Sequence, residues 1–428
     1  MLSTYRQALS VPGSVRFSST GFVARLPMAM VSLGIVLLVS ERTGSYAVAG
    51  ILSAAFQLPA ALGAVVTSRW ADRLGQHRVL PWLAAANALL LVTLVIAVEA
   101  GAPLLLQLLA AAGAGVTQPA IGAMVRARWS AATTDGRALR GGFALEGVVD
   151  EIVFSIGPPL TAMLAVHVAL PLPLIVAAAL GLAGTIALAL QRRSEPPVHR
   201  DAGAHDGARR PGALAHPGMP TLFAAAIATG SVFGSYEVSV VAFTAGRDAA
   251  GASGVIIGLW ALSSMVGGLW FGARHWRMGL DRQMVMLPAI LTLTLLPAPF
   301  MPTVVTLSLV TILGGFAVAP TLITLFTLTQ RLVPGRQMTE GLTWTASGLA
   351  LGFALGTAVA GFVVDDRGTS IGFVLSIAGA AATVVAAVVG RRRFADAPVS
   401  DEESAPPVVP VNDPVPGPTP GSPVDERP

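Results

Sequence analysis

Residues 68–80 read SRWADRLGQHRVL, a short charged turn between two long apolar segments. The turn places one acid, three arginines and a histidine around Gly75, and glycine tolerates the backbone conformations of tight turns. The flanking segments, residues 45–68 and 79–98, are each long enough to cross the roughly 30 Å hydrocarbon core of a bilayer. The stretch therefore predicts a tight connection between two membrane-spanning helices.

The composition of the whole chain is that of a membrane protein. Of its 428 residues, 54% are hydrophobic and 12% are charged, whereas soluble domains carry roughly 25% charged residues. All 27 basic residues are arginine, and they lie in short clusters between apolar segments instead of on one polar face, which argues against nucleic-acid binding. The absence of cysteine excludes disulfides, thiolate metal sites and cysteine nucleophiles.

Twelve apolar segments are predicted to span the membrane. The first is expected to be retained, because no small-residue cleavage site follows its apolar core as in a signal peptide. The approximate ranges are 19–40, 45–68, 79–98, 103–126, 141–166, 170–190, 221–245, 252–273, 283–300, 303–330, 338–363 and 369–390.

The arginines lie mainly on one side of this arrangement. With twelve spans, both termini share a side with Arg6, Arg16, the clusters at 69–78, 126–140, 192–210 and 274–282, then Arg331, Arg336 and 391–393. The opposite loops hold only Arg42, Arg247 and Arg367. Because basic residues favour cytoplasmic loops, both termini are predicted to be cytoplasmic, in a multi-pass protein of the cytoplasmic (inner) membrane.

Polar stretches divide the chain into four parts. Two six-helix bundles, 1–191 and 220–393, are separated by a cytoplasmic linker at 192–219, and a proline-rich tail at 394–428 is predicted to be disordered. The bundles repeat weakly, since Arg73 and Gly75 after the second span align with Arg277 and Gly279 after the eighth. The predicted fold class is an all-α integral membrane protein of two pseudo-symmetric six-helix bundles, with a site between them.

These features resemble the major facilitator superfamily, over residues 1 to about 393. The family pattern after the second span is Gly-x-x-x-Asp-Arg-x-Gly followed by a basic pair. This chain matches it in part, with Ser68 for the first glycine, then Asp72, Arg73 and Gly75, with Gln76 and His77 for the basic pair, and with Arg78 one place late. The resemblance implies a gating latch that holds the cytoplasmic ends together in the outward-open state; a solvated loop without a switching role is the alternative.

Five ionisable residues are predicted to lie inside spans, where each costs at least about 2.5–3.5 kcal/mol at mid-bilayer. They are Arg25 in the first span, Glu146, Asp150 and Glu151 in the fifth, and Glu237 in the seventh. Glu146 and Asp150 lie one turn apart on one helix face. We interpret the five as a proton-coupling or charge-relay set, with Arg25 as a counter-ion. The alternatives are that Arg25 snorkels to the interface and that the fifth-span acids pair with cytoplasmic arginines.

The remaining candidates concern gating and the substrate cavity. The fifth span ends in SIGPPL, in which Gly157 and Pro158 resemble part of a fifth-span antiporter motif of the family and imply a gating role. The fourth span has Gln107 near the position where proton-driven drug exporters have an arginine, so their proton relay is not evident. Candidate cavity residues, each also explained by packing alone, are Gln118, Phe233, Tyr236 and Trp344.

The sequence favours a transporter over an enzyme. A lysine-free chain has no P-loop, and the six histidines lack metal-ligand spacing, so no cofactor, metal site or catalytic residue is predicted. The leading hypothesis is a monomeric, proton-coupled exporter of a small amphipathic or hydrophobic compound, working by alternating access. The alternative is a proton symporter for uptake of a sugar or other small metabolite, and a third class is a non-transporting membrane scaffold or sensor.

Overall fold

The computed structural model describes residues 9–133, 135–197, 213–274, 276–334 and 337–395. The middle of the predicted linker, 198–212, and the predicted tail beyond residue 395 lie outside the described residues. The two short 3-10 helices Arg192–Ser194 and Ala213–Ala215 flank the gap in the linker.

Twelve helical segments of the described chain are long and apolar enough to cross a membrane, which confirms the predicted spans. We number them as spans 1 to 12 in chain order. Their bounds are Ser14–Thr43, Tyr46–Leu74, Gln76–Glu99, Leu104–Ala132, Gly141–His167, Leu172–Ala189, Met219–Ala245, Ala252–Gly272, Leu280–Phe300, Val304–Leu332, Glu340–Arg367 and Thr369–Ala395. The helices of spans 5 and 11 begin slightly earlier, as Gly136–His167 and Met338–Arg367.

Glycine and small hydroxyl residues set the ends of several spans. Gly75 is the only residue between the helices of spans 2 and 3, and its φ of 91° is a value that other residues rarely adopt. Span 1 likewise ends at Gly44, with φ 68°, and the side chain of Ser45 caps the start of span 2 by accepting a hydrogen bond from the Val48 amide. The charged turn at 68–80 is therefore as tight as its sequence predicts.

Three spans are interrupted. Span 4 consists of the helices Leu104–Val116 and Ile121–Ala132, and span 10 of Val304–Gly315 and Val318–Leu332. Span 9 consists of Leu280–Leu295 and the short 3-10 helix Ala298–Phe300. Pro119 lies in the break of span 4 and has no amide hydrogen to continue a helix. Such breaks are tolerated at membrane depth where the freed backbone groups are buried in protein.

Glycines allow spans 7 and 11 to cross at very close range. An added Cβ at four positions of this crossing would meet a backbone carbonyl oxygen of the other helix: Gly230, Gly234, Gly352 and Gly356. Close backbone approach over small residues is a general source of helix association in membranes. Span 11 also packs along span 2, and span 8 packs along span 5, so these two pairs join the first six spans to the last six.

The two ends of the helical bundle differ in charge and in closure. One end, here called the basic end, carries the start of span 1 and all described loop arginines except Arg42, Arg247 and Arg367, which lie at the opposite end. Close backbone contacts between the halves lie toward the opposite end, where Gly50 faces the Thr357 carbonyl and Gly361 faces the Tyr46 carbonyl. The halves therefore meet at the opposite end.

The crossing of spans 7 and 11 predicts a position-specific effect on stability. Gly352→Ala would place a methyl group against the backbone of Ile227, so we expect a loss of about 1–3 kcal/mol. Gly272→Ala, at the end of span 8 with no atom near the added methyl, is the matched control and should have little effect. Thermal unfolding of the purified variants measures both, and equal midpoints would contradict the close crossing.

Candidate functional site

A cavity of about 460 Å³ lies between the two halves, a size within the roughly 300–1,000 Å³ of small-molecule sites. Spans 1, 2, 5, 7, 8, 10 and 11 line it. Five aromatic residues contribute to its wall: Phe154, Phe233, Tyr236, Trp260 and Phe353. Three carboxylates, Asp150, Glu151 and Glu237, also line it, while no arginine or histidine is among its described lining residues.

A buried ion-pair network lies next to the cavity and joins spans 1, 4 and 5. Arg25 is 2% exposed, and its Nη2 lies 2.6 Å from Oε2 of the fully buried Glu146. Its Nη1 donates to Oδ1 of Asp150 at 3.1 Å, and Nη2 of Arg126 donates to Oδ2 of the same carboxylate at 2.7 Å. Two arginines therefore balance two acids, and the structure brings together three of the five predicted relay residues.

Neutral donors complete the surroundings of Glu146. Its Oε1 accepts hydrogen bonds from Oγ of Ser18 at 2.7 Å and from Nε1 of Trp129 at 2.9 Å. The Trp129 ring is itself buried and packs edge-on against Phe17. Sequence reasoning missed Trp129 and Ser18, and it included Arg126 only in the arginine cluster at 126–140 with which the fifth-span acids were expected to pair as the alternative. Asp150 does lie against Arg126 of that cluster, whereas nothing local marks Ser18.

Glu151 and Glu237 have no cationic partner in the described part of the chain. Glu151 lines the cavity and makes no ion pair or hydrogen bond with any described residue. Glu237 accepts a hydrogen bond from Oγ of Ser32 at 2.6 Å, and the Oγ atoms of Ser32 and Ser53 lie 2.9 Å apart. Because Ser32 is on span 1 and Glu237 on span 7, this bond joins the two halves beside the cavity.

The predicted motif residues at the basic end are mostly exposed. Asp72, Arg73 and Arg78 lie on the surface, and within the described chain neither Asp72 nor Arg73 forms an ion pair or a hydrogen bond through its side chain. Ser68 is half-buried, and Gly75 forms the turn itself.

Two of the three positions that depart from the family pattern, Gln76 and His77, do have partners. Oε1 of Gln76 accepts a hydrogen bond from Nε of the buried Arg128 at 2.8 Å. Nδ1 of His77 lies 2.9 Å from Oε2 of Glu195, just after span 6. Nη1 of Arg128 also donates to Oγ of Ser194, so Gln76 and His77 tie the turn to the end of span 4 and to the segment after span 6. These contacts have no local signature in the sequence, because they connect positions far apart in the chain.

At the opposite end, a carboxylate of the second half caps a helix of the first. Asp365, in the last turn of span 11, accepts hydrogen bonds from Ser45 Oγ at 2.7 Å, from the Tyr46 amide at 2.9 Å and from the Ala47 amide at 2.8 Å. A negative charge is stabilised at a helix N-terminus, where backbone amides lack partners within the helix. We call this contact the Asp365 clasp. The cap at Ser45 was recognisable in the sequence, but its partner was not.

The other predicted residues lie at several places. Phe233 and Tyr236 line the cavity, and the Tyr236 hydroxyl is hydrogen bonded to Thr311. Gln118 accepts a hydrogen bond from Asn87 between spans 3 and 4, and Trp344 packs edge-on against Phe223; neither lines the cavity.

The predicted gating pair of span 5 faces both halves. An added Cβ at Gly157 would meet Ala29 of span 1, while Pro158 lines the cavity and its carbonyl faces Gly254 of span 8. Gln107 donates to the Ala102 carbonyl at the start of span 4 and does not line the cavity. No group of three potential metal ligands occurs in the ranges that the structure describes.

The buried network predicts unequal effects of removing two arginines. Arg25→Met leaves Glu146 buried without its cation, and breaking a buried pair in this way costs about 3–5 kcal/mol. Arg42→Met, which removes the exposed partner of Glu99, should cost less than about 1 kcal/mol. Thermal unfolding measures both, and the double variant Arg25→Met with Glu146→Gln should recover part of the loss. A double variant no more stable than Arg25→Met alone would speak against the pair.

Comparison with known proteins places the chain in a family. The model of the Major Facilitator Superfamily matches residues 17–357. A search of curated protein sequences gave no match.

Solved structures of transporters share the fold. The nucleoside transporter NupG has a TM-score of 0.69 at 16% identity, covering 90% of this chain and 99% of that one. An auto-inhibited peptide transporter of the POT family has a TM-score of 0.65 at 15% identity, covering 91% and 96%. A bacterial homologue of the human lysosomal transporter Spinster, inward-facing and occupied, has a TM-score of 0.62 at 13% identity, covering 90% and 96%. The chain belongs to the major facilitator superfamily and is a membrane transporter, not an enzyme.

Proposed function

We propose that this transporter is a proton-coupled exporter of a small amphipathic or hydrophobic compound. The observation that carries the proposal is the pair Glu151 and Glu237, which border the central cavity without a cationic partner in the described chain. A carboxylate in such a place can bind and release a proton as the cavity changes the side of the membrane to which it opens. Gly157 and Pro158, the partial antiporter motif, lie between span 1 and span 8 and support the outward direction.

The proposed mechanism is alternating access by two halves, residues 1–191 and 220–393, joined by the linker at 192–219. The arginine excess at the basic end supports cytoplasmic termini and a place in the cytoplasmic membrane. The Asp365 clasp and the close glycine contacts then hold the halves together on the outer side. On the inner side Asp72 and Arg73 are free to act as a latch in the other state.

The hydrogen bond between Ser32 and Glu237 can couple protonation of Glu237 to the contact between spans 1 and 7. A hydrogen bond to an ionised carboxylate is roughly twice as strong as a neutral one. Protonation of Glu237 would therefore weaken its bond to span 1 and favour separation of spans 1 and 7. A change of a few kcal/mol in such a contact is enough to shift a two-state population substantially.

Uptake is the alternative direction. The solved structures that share the fold include a nucleoside transporter and peptide transporters, so a proton symporter for a sugar or other small metabolite fits the same architecture. The transport assay below separates the two directions.

Glu237→Gln should abolish coupled transport while the protein still folds, because it removes the titratable group and keeps the side-chain volume. The measurement is intracellular accumulation of a compound panel in an efflux-deficient bacterial host, with and without a protonophore. The wild type should lower accumulation of its substrates, and both Glu237→Gln and the protonophore should remove that effect. Glu41→Gln, an exposed acid at the end of span 1, is the matched control.

Two other results of this assay would contradict proton-coupled export. Accumulation that rises with the wild type would overturn export in favour of uptake. Export that survives both Glu237→Gln and the protonophore would show that Glu237 and protons are not the coupling elements.

Loss of the Asp365 clasp should open the cavity to the outer side. Asp365→Ala removes a carboxylate that caps span 2, at a cost of about 1–2 kcal/mol, or roughly a 5- to 30-fold shift toward the outward-open state. The chain has no cysteine, so a single Gln57→Cys in the cavity can report the change through labelling by an impermeant maleimide.

The neighbouring residue offers the control for this experiment. Asp366→Ala removes an exposed acid that pairs only with Arg367 of its own helix. Labelling of Gln57→Cys should be faster with Asp365→Ala and unchanged with Asp366→Ala. Equal rates in both backgrounds would rule out the clasp as the outer closure.

A further inference from the structure

The charge of the cavity wall is negative. The arginines nearest to it, Arg25 and Arg126, are already paired with Glu146 and Asp150. Glu151 on span 5 and Glu237 on span 7 are left over, and no cationic side chain is among the described lining residues. The described lining residues from spans 1, 2, 8, 10 and 11 carry no acidic or basic side chain. The cavity therefore presents one uncompensated carboxylate from each half.

An aromatic ring accompanies each of these carboxylates. Phe154 lies three residues after Glu151, and Phe233 lies four residues before Glu237, so each pair shares one helix face. Trp260, with its ring centroid 4.4 Å from that of Tyr236, adds a third aromatic surface to the wall. Aromatic faces attract cations, and the attraction grows when the cation is desolvated. Neither the carboxylates nor the aromatic faces would attract an anion.

Two further donors in the same wall make no hydrogen bond within the described chain. They are the side chains of Trp260 and Ser264, which line the cavity from span 8. Together with the unpaired acids, these donors give the cavity wall polar groups that a ligand can engage.

We propose that the cavity binds an organic cation, an amine or onium ion with aromatic or aliphatic substituents, between Glu151 and Glu237. This substrate class rests on the proposed transport function, but its recognition does not depend on direction or coupling. The positive centre is neutralised by the two carboxylates and lies against Phe154 and Phe233. The apolar substituents fill the rest of the cavity, and Trp260 and Ser264 are available to an acceptor group where the compound carries one.

Two ions of matched shape test the proposal on the purified full-length protein. Tetraphenylphosphonium and tetraphenylborate have the same size and opposite charge, and equilibrium dialysis against protein-free micelles corrects for partitioning. Tetraphenylphosphonium should bind saturably to one site, and tetraphenylborate should neither bind there nor displace it. Glu151→Gln and Glu237→Gln should each weaken the phosphonium affinity by about tenfold or more, because each removes a Coulomb attraction to the cation. Glu41→Gln should not change it.

Several outcomes would overturn the proposal: absence of phosphonium binding, equal binding of the borate or of neutral triphenylphosphine oxide, or full affinity in both glutamine variants. The wild-type comparison of the two ions stands even where a variant fails to fold. The result is also separable from the transport proposal. If the protein binds the phosphonium selectively but does not change its accumulation in cells, the proposed transport of such ions is overturned and the cation site is not. If the protein transports neutral or anionic compounds but does not bind the phosphonium, the cation site is overturned and the transport proposal is not.

Discussion

An unpaired charge is costly inside a bilayer. The ion pair between Arg25 and Glu146 meets that constraint in the first half. The pair is buried between spans 1 and 5, and Trp129 of span 4 donates to the same carboxylate. Three spans are thus held by one ion pair with directional hydrogen bonds, in a protein whose other helix contacts are mostly apolar. Spans 1 and 5, which the ion pair joins, both line the cavity.

The same constraint separates acids that look equivalent in the sequence. Asp150 and Glu151 are adjacent, but consecutive residues of an α-helix differ by about 100° in direction. Asp150 therefore reaches both Arg25 and Arg126, whereas Glu151 reaches neither and remains at the cavity. One carboxylate of this pair belongs to the scaffold and the other is available for chemistry. Burial alone does not separate a structural acid from a reactive one. The separation depends on which acids are already paired with an arginine.

The twelve spans could be predicted because hydropathy over about 20 residues is a local property. The tight turn at Gly75 was predictable for the same reason, since it needs one glycine between two apolar segments. The breaks in spans 4 and 10 were not predicted, although Pro119 in the first of them is a local signal. Arg25 was proposed from the sequence as a counter-ion, but the donors Ser18 and Trp129 of Glu146 were not predicted. The backbone amides that bind Asp365 carry no side-chain signature. Residue type alone did not predict the cavity lining correctly at Gln118 and Trp344, since polar and aromatic side chains also pack between helices.

The Asp365 clasp has an evolutionary consequence that follows from the atoms it uses. Two of its three donors are backbone amides, and nearly any side chain at positions 46 and 47 would leave those amides in place. Only proline would remove one. The strength of this closure can therefore change through very few codons, chiefly that of the aspartate itself. Under the proposed orientation and mechanism, a lineage could lengthen or shorten the time its transporter spends closed to the outside without altering a single residue of the cavity. Turnover and cargo choice could then diverge independently.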